Sequence, residues 1–370
     1  MNSIVDLFCG CGGLSLGAYN AGFQTKLSID IDADLSSSYS KNFPLSKLVN
    51  GDLASINPNE LFSANPVGKL AGVVGGPPCQ GFSIMGKRAN DDPRNTLLAR
   101  YFEYIKYLEP KFFVMENVPG LNEKKNRKVL DAALEILPAR YNILTPQILN
   151  AKDFGAATSR PRLLVIGYDP EEMNTLEDSD FHTKSDVLAY TVRDAIYDLP
   201  SPSDELEWRS YRKTIEISHY ARAARQHPLE YLGCAEAKSK LSNGMLNGFQ
   251  NTNHTKPVLD RYKRVKQGER DLISKYPRLN WDKPSLVLRA GTGTDKGSFQ
   301  AARPLHPKEN RVITVREAAR IQGFPDWFQF HRTKWHSHRM IGNSVSPIFA
   351  EAILRIIGSK LDIKATRIAV

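Results

Sequence analysis

Cysteine is scarce in this chain: Cys9, Cys11, Cys79 and Cys234 are the only four in 370 residues. That is too few for a disulfide framework, and a reducing cytosolic or nuclear setting is expected. Cys9-x-Cys11 lacks a second ligand pair at zinc spacing, so no metal is expected. No run of about eighteen apolar residues occurs, so no membrane span is expected. Met1-Asn2-Ser3 leads straight into an apolar strand pattern, without the layout of a signal peptide. There is no internal repeat and no low-complexity tract. Acidic charge is in deficit: the net charge is +10 and the pI is near 9.3. A polyanionic partner would suit that balance, although a basic soluble enzyme has it too. The length suits one large domain or two smaller ones, with ample chain for a core.

What is present is an alternation of short apolar runs and helical patterns. Ile4-Val5-Asp6-Leu7-Phe8 reads as a strand ending in Gly10, Gly12 and Gly13, and Leu27-Ser28-Ile29-Asp30 as a second ending in an acid. Leu70 to Val74 and Phe112 to Met115 read as two more, with helical spacing over Leu97–Leu108 and Val129–Leu137 between and after them. Tyr141–Leu149 and Leu163–Gly167 extend the set. The pattern predicts an α/β fold with a doubly wound, mostly parallel sheet, whose ligand loops lie at the carboxyl ends of the strands. From about 185 to 305 the texture turns polar and aperiodic, with basic and aromatic residues interleaved in Trp208–Lys213 and in Arg261-Tyr262-Lys263-Arg264. This predicts a smaller, irregular domain at 185–305, between a first part at 1–184 and a returning segment at 306–370. Thr314 is expected to cap one late helix, and Ser346, followed by Pro347, the last.

Four chemically distinct features fall at predicted strand ends. The Gly-rich turn after the first strand lets backbone approach a ligand, and a helix amino end favours carboxylate or phosphate. Asp30, closing the next strand, could accept both hydroxyls of a ribose. Phe8 suits stacking on adenine, and Asp52 could accept from its amino group. S-adenosylmethionine fits this set, with a dinucleotide still open. Cys79 sits in the rigid turn Pro77-Pro78-Cys79-Gln80, where a thiol is more plausibly a nucleophile than core packing. Glu116, ahead of Asn117-Val118-Pro119-Gly120, could donate a proton if desolvation raised its pKa. Arg160 and Arg162 alternate on an extended segment, so both guanidiniums could reach one site and hold a carbonyl, carboxylate or phosphate.

These motifs resemble those of the C5-cytosine DNA methyltransferases of the compact, bacterial restriction-modification type. The likeness covers the whole chain except about 185–270. Phe8-Cys9-Gly10-Cys11-Gly12-Gly13 is similar to the family's cofactor loop, Asp30 to its ribose acid and Asp52 to its adenine-side acid. Pro77-Pro78-Cys79-Gln80 resembles its nucleophile loop, Glu116-Asn117-Val118 its acid, and Asn95-Thr96-Leu97 a cofactor-contacting segment. Thr158-Ser159-Arg160-Pro161-Arg162 resembles its Gln-x-Arg-x-Arg element, with Thr158 where the family has Gln. Arg311–Glu317 with Gln322-Gly323-Phe324-Pro325, and Gly342–Pro347, resemble its ninth and tenth motifs.

The resemblance implies a class I, Rossmann-like methyltransferase fold with a target-recognition domain. It implies catalytic roles for Cys79, Glu116, Arg160 and Arg162, with Arg162 helping to hold the base. Cofactor contacts are implied at Phe8, Gly10, Gly12, Gly13, Asp30, Ile31, Asp52, Leu53, Pro78, Leu97, Asn343 and Ser344. The cofactor would be S-adenosylmethionine, leaving as S-adenosylhomocysteine, without a metal. The substrate would be a cytosine flipped out of double-stranded DNA. DNA contacts are expected at Gln80, Ser83, Lys87 and Arg88, in a loop to Arg94 that closes over the base, and at Arg261 and Lys263. A monomer in the bacterial cytoplasm is expected, compatible with a separate cognate restriction endonuclease. A tRNA cytosine methyltransferase and a catalytically silent DNA-binding regulator are the competing readings.

Overall fold

The computed structural model describes residues 2–78, 95–182, 189–204, 208–212, 216–291 and 303–363. Cys79, Gln80, Ser83, Lys87 and Arg88, and with them the expected closing loop, lie outside the described residues. Among the described residues, eight strands form the main sheet: β1 (Ser3–Leu7), β2 (Gln24–Asp30), β3 (Lys47–Asn50), β4 (Gly72–Gly75), β5 (Phe112–Asn117), β6 (Asn142–Ile143), β7 (Gln147–Asn150) and β8 (Pro161–Tyr168). Their order is β3-β2-β1-β4-β5-β8-β6, with β7 also on β8. The first five are parallel; β8 runs antiparallel to β5 and to β6 and β7. The chain winds outward from β1 to β3, then restarts at β4 on the other side of β1. That reversal leaves a crevice above β1 and β4, where ligands of such sheets bind.

The apolar strands are buried on both faces because each face has its own cover. Along β5, Phe112 and Val114 point into one core with Phe349, Ile353 and Ile357. Phe113 and Met115 point into the other with Tyr101, Phe102 and Ile105. The two-residue period of the strand sorts them. The closing helix Pro347–Ser359 lies tight against the opening helix Gly13–Asn20. A Cβ added at Gly17 would stand 2.5 Å from Ala350 Cβ, so Gly17 permits that approach. The apolar stretch Lys334–Ser359 is two helices, broken at Ser344, and both bury apolar residues in the fold.

Two expected details differ. The run Tyr141–Leu149 is two short strands, because Pro146 offers no N–H to the ladder. Thr314 makes a full capping box with Glu317, but Ser346 makes no capping bond. Its hydroxyl is buried beneath the Gly323 turn, without a partner among the described residues.

Residues 185–305 form short pieces: the hairpin β9 (Trp208–Ser210) and β10 (Met245–Asn247), and helices such as Ala235–Ser242 and Lys256–Lys263. Leu232, Leu241, Leu246 and Phe249 share one core with Tyr39, Phe43, Ile321 and Phe328. The helix Val315–Gln322, wholly buried yet charged, sits at this junction. Arg316 donates to the carbonyls of Asn247, Pro325 and Phe328. Arg320 is paired with Asp326 at 2.6 Å and with Asp198 at 3.2 Å. Arg311 grips Glu317 through two bonds of 2.8 Å. Burial alone would raise the Glu317 carboxyl, but Arg311 and the Thr314 N–H hold it down to about 2.

Glu317→Gln should cost about 1.5–3 kcal/mol in urea unfolding at neutral pH, since it removes one of the two carboxylates on the buried Arg311 and leaves only Glu309, at 2.7 Å. The carboxylate contributes fully above its usual 4.5 and loses that contribution as pH falls towards about 2. The gap between wild type and variant should therefore narrow in that window.

Candidate active site

The parallel strands bring their carboxyl ends to one rim, which opens on a cavity of about 470 Å³. After β1 the backbone turns through Phe8 at φ +64°, Gly10 at +51° and Gly12 at +95°. Phe8 pays for a left-handed conformation that phenylalanine rarely adopts, on the order of 1–3 kcal/mol. The turn delivers Gly13 and Leu14, at the start of the helix Gly13–Asn20, to the cavity wall. Asp30 ends β2 and binds the turn: its Oδ2 accepts the Gly10 N–H at 2.7 Å, and its Oδ1 the Asp32 N–H at 2.8 Å. Burial raises the Asp30 carboxyl, and those two bonds oppose the rise. Beside it Ile31 is 63% exposed at the cavity lip, an apolar surface facing the same space as Phe8.

Glu116 ends β5. Because β8 runs antiparallel, its first residues lie beside the last of β5, and Arg162 Nε stands 2.6 Å from Glu116 Oε1. Asn117 donates to the Pro77 carbonyl at 3.2 Å, and a Cβ on Gly76 would be 3.2 Å from Glu116 Oε2. The turn that leads into Cys79 is therefore pinned against the acid. Arg160, two residues before Arg162, is 2% exposed and does something different. Its Nη1 donates to the Leu288 carbonyl at 2.9 Å and its Nη2 to the Gly342 carbonyl at 2.8 Å. Its Nε has no hydrogen-bond partner among the described residues. Burial and the nearby Arg162 charge push its pKa down. Thr158 is buried, with its hydroxyl on the Leu286 carbonyl at 3.4 Å.

The cavity wall thus holds Phe8, Gly10, Gly13, Asp30, Ile31, Pro78, Glu116, Arg160, Arg162, Asn343 and Ser344 together. Gly12, Asp52, Leu53 and Leu97 are not on it. Gly12 lies beneath the turn, where a Cβ would strike Phe43 and Tyr39. Asp52 caps its own turn through the Ala54 N–H at 2.9 Å, and Leu53 is buried in the core. Leu97 belongs to the helix Asn95–Leu108, which reaches that turn through Arg100, bonded to the Leu53 carbonyl. Sequence reasoning missed Arg339, which lines the cavity and pairs with Asp32 at 3.2 Å. Only its nearness to Asn343 could have suggested it. Arg261 is not a free cation: its Nε is held at 2.7 Å by Asp271. Cys9 and Cys11 are buried, and burial pushes both thiols up, Cys11 to about 12. Neither is poised as a nucleophile.

The profile of the C-5 cytosine-specific DNA methylase family matches residues 2–359. The chain belongs to that family. It is 37% identical to the type II methyltransferase M.XorII of Xanthomonas oryzae pv. oryzae, over 94% of this chain and 82% of that one. Identity to the type II methyltransferase M1.HphI of Haemophilus parahaemolyticus is 35%, over 94% and 84%. A crystal structure described as a DNA modification methyltransferase encoded within an E. coli prophage superposes with a TM-score of 0.85 at 38% identity, covering 98% of this chain and 100% of that one. The S. pombe Dnmt2 methyltransferase shares the fold, with a TM-score of 0.60 at 16% identity, over 98% and 99% of the two chains.

Gly13→Ala tests the joint between the Gly-rich turn and the returning segment. A Cβ there would overlap Ser344 Oγ and the Val345 carbonyl oxygen. The latter is backbone and cannot swing aside, so the variant should melt several degrees lower and bind S-adenosylhomocysteine at least tenfold more weakly by calorimetry.

Proposed function

We propose that this chain methylates C5 of a cytosine in a specific double-stranded DNA sequence through a covalent adduct between Cys79 and C6. The observation that carries this reading is the pinning of the Pro77-Pro78 turn by Asn117, beside the Glu116–Arg162 pair. It brings the chain to within one residue of Cys79 at the acid. A thiolate adding to C6 needs electron density drawn to N3, and Glu116 is the proton donor for that nitrogen. Arg162, already on Glu116, holds the base from the same side. Addition makes C5 nucleophilic; it gains a methyl, then loses its proton as Cys79 departs and the C5–C6 double bond returns.

The residues on the cavity wall suit S-adenosylmethionine, which supplies an electrophilic methyl when bound. Asp30 keeps acceptor capacity beyond its two backbone bonds for ribose hydroxyls. Phe8 and the exposed Ile31 offer apolar faces to a purine. Asn343 and Ser344 close the pocket from the returning segment, and the reaction leaves S-adenosylhomocysteine. Asp52, Leu53 and Leu97 would act from behind the wall rather than on it. No metal takes part.

Residues 185–305 read the target, with Lys263 and the region around it facing phosphate. Gln80, Ser83, Lys87 and Arg88 would contact DNA from the segment that follows the nucleophile. The protein acts as a monomer in a bacterial cytoplasm, alongside a separate endonuclease of the same specificity.

Labelled methyl from S-adenosylmethionine should enter mixed-sequence duplex DNA and not tRNA. Cys79→Ser should abolish transfer and keep DNA binding; turnover in that variant would overturn the covalent route. Glu116→Gln should lower kcat by about 10²–10⁴-fold, the usual worth of a positioned proton donor. Label in tRNA alone would make the substrate RNA.

A further inference from the structure

Leu272 is 82% exposed and Ile273 59% exposed. Single exposed apolar residues are ordinary. An adjacent pair at the tip of a turn whose backbone is fixed is not, because a looser turn would fold them inward. Here Asp271, 1% exposed, accepts from the Ser274 N–H and Oγ at 2.6 Å each and from Arg261 Nε at 2.7 Å. Its own N–H goes to the Tyr276 carbonyl at 2.9 Å, and its carbonyl accepts the Lys275 N–H at 2.9 Å. Below, Gly268 and Glu269 exchange backbone bonds with Arg278 at 2.9 and 2.8 Å. Arg278, 5% exposed, anchors this hairpin through the carbonyls of Tyr262, Val265, His306 and Glu309 and through Asn310 Oδ1. Leu272 and Ile273 are held out on a rigid post.

The collar of that post is basic. Of the seven Lys and Arg from Arg261 to Arg278, Arg278 is buried and Arg261 is held by Asp271, which leaves Lys263, Arg264, Lys266, Arg270 and Lys275 exposed, against Glu269 and Asp271. Both acids are engaged, Asp271 as above and Glu269 on the Lys266 N–H at 3.0 Å. We propose, resting on the preceding reading of the protein as a DNA methyltransferase, that the 271–275 turn enters a groove of the duplex, with Leu272 and Ile273 making apolar contact with bases while the basic collar holds phosphates. Cations flanking an apolar tip match the two chemistries of DNA, charged backbone and apolar base faces. A purely apolar protein partner would give the collar nothing to bind. Reach is adequate. The chain runs from Arg278 through Ser285, paired with Ala157, to Leu288, whose carbonyl Arg160 holds at the cavity. Ten residues span at most about 35 Å, roughly one turn of duplex.

The test begins with a duplex selected from a random-sequence library on the immobilised wild-type protein, which does not depend on methylation. Binding of that duplex and of an unrelated one is then measured across salt for wild type, for Leu272→Ala with Ile273→Ala, and for Lys263→Ala with Lys275→Ala. The apolar variant should lose tenfold or more on the selected duplex, keep its affinity for the unrelated one, and keep its salt slope. The basic variant should lose on both, with the slope falling by about one per lysine. Unchanged preference in the apolar variant would overturn the proposal. So would a loss confined to self-association or to sedimentation with anionic vesicles, which would make the tip a protein or membrane contact. Methylation of the selected duplex is scored separately. Its absence with an intact preference would sink the enzymatic reading and leave the apolar tip standing.

Discussion

One buried guanidinium sets the geometry of this site. Arg160 has its two terminal nitrogens on the carbonyls of Leu288 and Gly342, residues 128 and 182 positions away. Three stretches of chain with no local reason to meet are joined there: the start of β8, the end of the 185–305 region and the returning segment. A planar fork suits this task, since it can satisfy two carbonyls in fixed directions at once. Arg162, two residues on, gives one bond to the adjacent Pro161 carbonyl at 2.8 Å and pairs with Glu116. Alternation along an extended segment places the pair on one cavity, but burial divides their work: one ties the walls together and the other lines the cavity beside Glu116.

The same device recurs in the helix Val315–Gln322. Arg316 and Arg320 spend their donors on the carbonyls of Asn247, Pro325 and Phe328 and on Asp198 and Asp326, which come from both sides of the junction. Buried charge is poor evidence for stability, because desolvation consumes much of the Coulombic gain. What such groups supply is a penalty for any other arrangement. A shift between the two regions would strand an ionised group out of water, so only one relative placement is cheap. An apolar interface would tolerate sliding that this one does not.

The sequence made the rim legible because strand ends carry their own signals. Glycines after β1, an acid after β2, and Glu116 ahead of a Pro-Gly turn can each be read within ten residues. The Phe112–Met115 run reads as a strand, and its unbroken apolar character is explained by the cores on both of its faces. The Tyr141–Leu149 run was less legible, since Pro146 divides it in the ladder while leaving its apolar pattern intact. Arg160 as a clamp, Arg339 on Asp32 and Arg261 on Asp271 were not legible at all. A basic residue looks the same in a sequence whether it faces phosphate or a carbonyl 182 positions away. Nor could periodicity help between 185 and 305, where elements of three to eight residues are shorter than the windows that reveal a period.

The contact between Arg160 and Gly342 also has a consequence in time. A ribosome adds about 5–20 residues per second, so the carbonyl that Arg160 needs emerges roughly ten to forty seconds after the arginine itself. Through that interval the nascent chain already carries its thiol, its acid and its glycine turn, yet one wall is still unmade. On the proposed mechanism, synthesis itself therefore delays activity until the late segment arrives, and a chain that terminates early carries Cys79 and Glu116 without the wall that the returning segment adds.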